Sequence, residues 1–410
     1  MSELYDFDLC FLSIFFPDDN EDYRKKSIQL RGQNITVIQK AIIDGLSVYL
    51  KEAPWIINTP LLTNYPHGYK DPFVRGSELA PRYHGVNHGF VNFSPFYSST
   101  LFWGARHHIK QWAECQTGKE KVVIAYSLTA YTLQAMKYIK TLDKKIKTCI
   151  IVPDLPQYTY GETKSWFRRM KNSLGKFRAE SSIKLKCEYV DYWLLFSEKM
   201  KEKIPAKINY MVFEGIYTDI ALVESQEKHK NVAKKTVLYA GGLNQQYGVG
   251  LLLEAFAKLQ GEEWNLLIAG SGPMKNAVVE SVRYDERISY LGIIPHSDLL
   301  RIEQEADVLV NPRVNSGIFT RYSFPSKNME YLSTGTPMVG FKLEGIPDEY
   351  DKFINYFPED SASSLADTIS SVCTLRTAAK EKAEEGRLYV KNHKNKYAWG
   401  NKILEFLSDV

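Results

Sequence analysis

The 410-residue chain contains no apolar run near the roughly 20 residues that a membrane-crossing helix needs, so no bilayer span is expected. Its N-terminal run Cys10-Phe11-Leu12-Ser13-Ile14-Phe15-Phe16 is too short, and Glu3, Asp6 and Asp8 precede it. A signal peptide carries positive charge at that place, so the run reads as the first strand of a domain. Pro17-Asp18-Asp19-Asn20 is then its strand-end loop. Cysteine is scarce: Cys10, Cys115, Cys149, Cys187 and Cys373 are odd in number, scattered and without CxxC spacing. That argues against a disulfide or zinc framework and suits buried thiols in a reducing cytoplasm. Charge of one sign is lacking too, with 52 Lys and Arg against 48 Asp and Glu, so no nucleic-acid partner is called for. No internal repeat or low-complexity tract is evident.

What is present is an ordinary globular composition, 44% hydrophobic and 13% aromatic. The length suits two domains of about 200 residues each. From Thr236 onward, short apolar runs alternate with helical segments. The runs are Val237–Gly241, Asn265–Gly270, Ile288–Gly292 and Asp307–Asn311; the helical segments are Gly248–Leu259, Pro273–Val282 and Asp298–Glu305. Continuous buried strands separated by helices imply a parallel, doubly wound sheet. Ligands of such sheets bind beyond the carboxyl ends of the strands. Gly241, Gly242, Gly270, Gly272 and Arg313 all fall there.

The densest signal is Ser323-Phe-Pro-Ser-Lys-Asn-Met-Glu-Tyr-Leu-Ser-Thr-Gly-Thr-Pro337. Pro325 suits the first turn of a helix, where its missing N–H has no partner to lose. Ser326 and Lys327 then flank the positive helix end, a place for phosphate. Glu330, three residues past Lys327, lies on the same face and can accept from ribose hydroxyls. Gly335 closes the helix in the left-handed conformation. The bland alternative is a capped helix with a surface lysine.

Together, Ala240-Gly241-Gly242-Leu243, Gly248-Val249, Gly270-Ser271-Gly272-Pro273, Leu291-Gly292 and Phe324-Pro325-Ser326-Lys327…Glu330-Tyr331…Gly335-Thr336-Pro337 resemble the donor-binding half of family 4 (group 1) glycosyltransferases. The resemblance covers residues 235–350; the N-terminal half is similar mainly in layout. It implies an α/β chain of GT-B fold, two doubly wound Rossmann-like domains facing a central cleft. Residues 1–220 would form the acceptor domain, 233–396 the donor domain, and a helix at 397–410 would cross back to the first. The family's diphosphate-binding cations fall here on Gly242 and Tyr247, and the first member of its Glu-x7-Glu pair is Tyr322, so sugar contact differs from the family pattern. Arg313 and Lys327 are the candidate replacements for the missing positive charge, Arg by forked contact and Lys as a point charge. A surface ion pair is the alternative role for Arg313.

The first domain reads as strands Val122–Tyr126, Thr148–Val152, Tyr192–Phe196 and Tyr210–Phe213, with helices at Thr129–Thr141 and from Glu198. Glu224–Val232 has linker composition. Residues 50–110 read as irregular, rich in histidine and aromatics, and lack metal-ligand spacing, so no metal is expected. Where the family commonly has a histidine facing the donor sugar, this chain has Pro153-Asp154-Leu155-Pro156. Asp154 is either a polar group beside the anomeric carbon or a turn aspartate. Between Lys164 and Lys186, eight basic residues stand against Glu180, with Trp166, Met170, Leu174 and Phe177 at helical spacing. Trp166, Arg168, Arg169, Lys171, Lys176 and Phe177 would suit an anionic membrane surface; the plain alternative is a helix packing on its own domain.

The expected function is sugar transfer from a nucleotide-sugar, UDP-sugar foremost, to a lipid-linked or glycan acceptor at the inner face of the membrane. The resemblance implies a retaining, metal-independent reaction without a cofactor. Asp154 and Arg313 are the catalytic candidates; Gly241, Gly242, Gly272, Arg313, Tyr322, Ser326, Lys327 and Glu330 are the donor-binding ones. A non-catalytic partner subunit that keeps the nucleotide pocket is the alternative. A dinucleotide oxidoreductase fits less well, because Gly270-Ser271-Gly272-Pro273 lacks the third glycine of GxGxxG and a ribose-binding acid about twenty residues on.

Overall fold

The computed structural model describes residues 4–17, 20–28, 33–79, 81–93, 96–156, 180–205, 207–217, 234–315 and 318–409. It divides into two units, one of Met1–Ile216 with Lys396–Val410 and one of Tyr217–Asn395. The 224–232 stretch and the six membrane-surface candidates from Trp166 to Phe177 lie outside the described residues.

The first unit is built on β1 (Phe7–Ser13), β2 (Trp55–Asn58), β3 (Phe73–Val74), β4 (Ser77–Glu78), β5 (Gly85–Asn87), β6 (Phe90–Val91), β7 (Glu120–Tyr126), β8 (Lys147–Val152), β9 (Tyr192–Leu195) and β10 (Asn209–Val212). Eight of these form one sheet in the order β10-β9-β8-β7-β1-β2-β5-β4, parallel except where β4 meets β5; β3 and β6 make a separate antiparallel pair. Val122 to Ala125 and Cys149 to Val152 are wholly buried, which accounts for their unbroken apolar sequence: both faces of the sheet are covered. Helix α4 (Ala130–Leu142) starts where Thr129 accepts from the Thr132 N–H while the Thr132 hydroxyl accepts from the Thr129 N–H, a reciprocal cap. Before it come α1 (Glu21–Lys26), α2 (Gln33–Tyr49) and α3 (Tyr97–Glu114).

Helix α3 corrects the reading of residues 50–110 as irregular. Leu101, Ala105, Ile109 and Trp112 are buried and recur on one helix face, a period masked by the histidines and exposed aromatics between them. Of those histidines, His88 is buried, its Nε2 2.7 Å from Thr59 Oγ1, and burial depresses its pKa to about 4. Among the described residues no three His, Cys, Asp or Glu side chains gather as a metal site, and no helix is long and apolar enough to cross a membrane. Cys10, Cys149 and Cys187 are buried thiols, whereas Cys115 is exposed.

The second unit carries β11 (Lys235–Ala240), β12 (Trp264–Ala269), β13 (Ile288–Gly292), β14 (Val308–Asn311), β15 (Met338–Gly340) and β16 (Asn355–Tyr356). All are parallel, in the order β13-β12-β11-β14-β15-β16. Strand alternation splits the core. Val237, Tyr239, Val308 and Val310 face α5 (Val249–Lys258), α6 (Lys275–Tyr284) and α10 (Ala362–Thr374), whereas Leu238 and Leu309 face the side of α9 (Ser326–Thr334) and α11 (Arg376–His393). Helices α7 (His296–Glu305) and α8 (Ile318–Arg321) complete this unit. The strand order reverses between β11 and β14, so the loops after those two strands flank the switch point where ligands of such sheets bind.

The C-terminal helix α12 (Lys396–Ser408) belongs to the first unit and packs along α2. Their crossing depends on two glycines. A Cβ on Gly400 would overlap the Gly45 carbonyl, and one on Gly45 would overlap the Lys396 carbonyl, so backbone, which cannot rotate away, sets the approach. Gly400→Ala is expected to destabilise the protein by roughly 1–3 kcal/mol through forced separation of the helices. Urea unfolding checks this, and an unchanged midpoint would show that the crossing tolerates a side chain.

Candidate functional site

At the carboxyl end of the second sheet, three loops are pressed together by backbone contact. A Cβ on Gly270, whose φ is +132°, would overlap the Gly241 carbonyl, and one on Gly272 would overlap that of Leu243. Gly241 N–H donates to Ala269 O at 3.0 Å and Leu243 N–H to Ser271 O at 3.0 Å, which locks the β11 and β12 loops side by side. Gly272, on the β12 loop, therefore serves close packing, while Gly242, on the β11 loop, is exposed. Gly248, in the left-handed region at φ +79°, precedes α5 and packs against the Pro312 carbonyl, which brings the start of that helix to the β14 loop.

Helix α9 is tied to the same place. The Tyr331 hydroxyl accepts from Ala240 N–H at 2.9 Å and faces the Ala240 carbonyl at 3.2 Å, fixing the middle of α9 to the end of β11. Asn311 Nδ2 donates to Asn328 Oδ1 at 2.7 Å, which joins the helix to the end of β14. Pro325 is the residue just before the helix, and Gly335 ends it at φ +72°, as its left-handed cap requires. Ser326 is exposed at the start of the helix, where N–H groups have no intrahelical acceptor. Arg313, half-buried after β14, donates from Nη2 to Ser323 Oγ at 2.9 Å and lies over the Tyr247 ring. Gly241, Gly242, Arg313, Ser326, Lys327 and Glu330 thus come together around the switch point. Tyr322 is buried at 5% exposure beneath Arg321. Asp154, in the first unit, is exposed in the bend after β8.

The lysine is engaged by acids. Lys327 Nζ lies 2.5 Å from Glu330 Oε1 and 3.6 Å from Glu303 Oε1, with the Lys327 and Glu330 side chains about a quarter exposed and Glu303 wholly buried. Glu303 lies on α7 and had no sequence signal beyond an acidic residue within a helix; only the packing of α7 on α9 brings it here. Burial, reinforced by the charge of Glu330, pushes the Glu303 carboxyl up to about 9 against the pull of Lys327. Glu330 feels burial too, but Lys327 outweighs it and holds that carboxyl below its ordinary value. The two acids are thus driven apart, Glu303 toward its un-ionised form and Glu330 toward its carboxylate.

Lys327→Met is expected to cost about 1–3 kcal/mol at pH 7.5, because the Glu330 carboxylate would lose its cation in a largely buried place. The native pair contributes stability above the unfolded carboxylate pKa. In the variant, burial raises the Glu330 pKa, so the deficit should shrink toward pH 5 as Glu330 takes a proton. Urea titrations at both pH values check this; a deficit independent of pH would mean that packing, not charge, was lost.

Residues 234–374 match the family model described as glycosyl transferases group 1. The putative colanic acid biosynthesis glycosyltransferase WcaL of Escherichia coli strain K12 is 26% identical over 148 residues, which are 34% of this chain and 36% of that protein. The match thus spans about a third of that relative. Among solved structures, sucrose-phosphate synthase of Thermosynechococcus elongatus aligns at TM-score 0.62 and 14% identity over 97% of this chain and 98% of that one. HepE of Anabaena, solved in complex with UDP, aligns at 0.61 and 11% over 98% and 100%. The fold is that of the GT-B proteins, as the sequence resemblance implied.

Proposed function

We propose that this chain, whose residues 234–374 match the family model of group 1 glycosyl transferases, moves a sugar from a nucleotide-sugar to a lipid-linked or glycan acceptor in cell-surface polysaccharide synthesis. One observation carries the reading: inside the matched segment, Gly241–Gly242, Arg313 and the first turn of α9 converge at the switch point of the second sheet. The likeness to an E. coli glycosyltransferase named for colanic acid biosynthesis supports the polysaccharide part, and UDP in the Anabaena structure supports a UDP-sugar donor.

In this account the free N–H groups at Ser326 and Lys327 and the Arg313 guanidinium receive the diphosphate. They bind it more strongly as it gains charge on leaving, which lowers the barrier to transfer. Exposed Gly242 lets the backbone approach the phosphates without a side chain in the way. Glu330, ionised and a quarter exposed, accepts from the ribose hydroxyls. Asp154 would supply the polar group beside the anomeric carbon. The reaction retains configuration and uses neither metal nor cofactor, and the protein works at the cytoplasmic face of the membrane, held there by the basic 164–186 segment. Tyr322 brings no carboxylate to the sugar, so a catalytically silent partner subunit is the competing outcome.

A thermal-shift panel of nucleotide-sugars followed by a hydrolysis assay separates the two, since binding without turnover on any donor would favour the partner subunit. The ribose assignment has its own test. Glu330→Gln is expected to weaken UDP binding by about 1–2 kcal/mol while leaving inorganic pyrophosphate little changed, because an amide offers one acceptor oxygen where the carboxylate offers two. Equal losses for both ligands in calorimetry would make Glu330 a structural residue.

A further inference from the structure

Glu303 is 0% exposed, and as a carboxylate it has no hydrogen-bond donor within reach among the described residues, whereas as the un-ionised acid it can donate to the Glu330 carboxylate beside it. The ammonium of Lys327, 3.6 Å away, is closer to Glu330. A buried carboxylate without hydrogen bonds is costly, and the un-ionised acid is the form such a place accepts. The backbone of Glu303 is fixed independently, its carbonyl accepting from Thr336 Oγ1 at 2.8 Å. The groups around it are Lys327, Glu330 and Tyr331 from α9. Further out, His296 of α7 acts on Glu330, and Tyr239 of β11 acts on Tyr331.

We propose that Glu303 is a positioning residue of the nucleotide site: wholly buried on α7 and 3.6 Å from the Lys327 ammonium, its carboxyl backs Lys327 and Glu330 and keeps the ammonium on Glu330 at the start of α9. This rests on the reading of that turn as the diphosphate site. With Glu303 un-ionised, the cluster of Lys327, Glu330 and Glu303 carries no net charge. Ionised, Glu303 would give it a net negative charge one turn from the phosphates and would draw Lys327 away from Glu330. Nucleotide affinity should therefore fall as pH rises through the titration of Glu303.

Glu303→Gln tests this, because glutamine keeps the shape of the un-ionised acid and cannot lose a proton. Calorimetry with UDP at pH 7 and pH 9.5 should give the variant an affinity within about twofold of the native protein at pH 7. The native protein should then lose roughly three- to tenfold more affinity at pH 9.5 than the variant. Ionisation of the ligand or of other groups is common to both proteins and cancels. Equal losses would overturn the positioning role. Melting without ligand gives a separate readout. The folded state holds the Glu303 proton where the unfolded chain has released it, so native stability declines between about pH 4.5 and 9 and the variant lacks that decline. The melting-temperature advantage of the variant should grow by a few degrees from pH 5.5 to pH 9. Parallel melting profiles would show that Glu303 is not held un-ionised and overturn the proposal. If the native protein binds no nucleoside diphosphate at either pH, the diphosphate reading itself fails and the positioning role falls with it, even where the melting profiles diverge.

Discussion

The bond between the Tyr331 hydroxyl and the backbone of Ala240 is the interaction on which the second unit's site depends. A parallel sheet places its strand ends in one row, yet the helix that follows β14 could sit anywhere along the sheet face. Tyr331 removes that freedom, because a buried backbone N–H needs a partner and finds it on α9. Asn328 adds a second anchor at the end of β14. With α9 pinned at two strand ends, its first turn stands beside the Gly241–Gly242 loop, and the side chains at 327 and 330 inherit their positions.

Charge at this site is arranged economically. Gly242 and Tyr247 stand where the family that the sequence resembles carries cations, and Arg313 lies over the Tyr247 ring as a cation beside the loop. Lys327 does not stand alone as a point charge, contrary to what its place in the sequence suggested. It is held by Glu330 and backed by Glu303, so it stabilises an acid as well as facing the helix end. The wholly buried acid is tolerated because it keeps its proton.

Much of the second unit was legible from residue order. The runs around Val237 and Val308 became central parallel strands buried on both faces, those around Leu266 and Ile288 continue the sheet to a partly buried edge, and Gly335 took the left-handed cap its place demanded. The role of Gly272 was not legible: glycine after a strand reads as room for phosphate, but here it is room for the neighbouring backbone. Glu303 was invisible, since nothing local distinguishes an acid on a solvent face from one turned against a neighbouring helix. In the first unit, α3 was missed because His107, His108 and exposed Trp103 obscure the apolar face of Leu101, Ala105, Ile109 and Trp112. The contact of Gly45 with Gly400, more than 350 residues apart, lies beyond any local pattern.

The second unit's site would hold a nucleoside diphosphate where the β11 loop, Arg313 and α9 meet. Hydrogen–deuterium exchange with and without UDP tests it most directly, because it reports where the ligand lies without requiring acceptor or turnover. New protection is expected at the amides of residues 241–244, 313–315 and 326–330, with β1 to β10 unaffected. Protection confined to other residues, or none at saturating UDP, would contradict it.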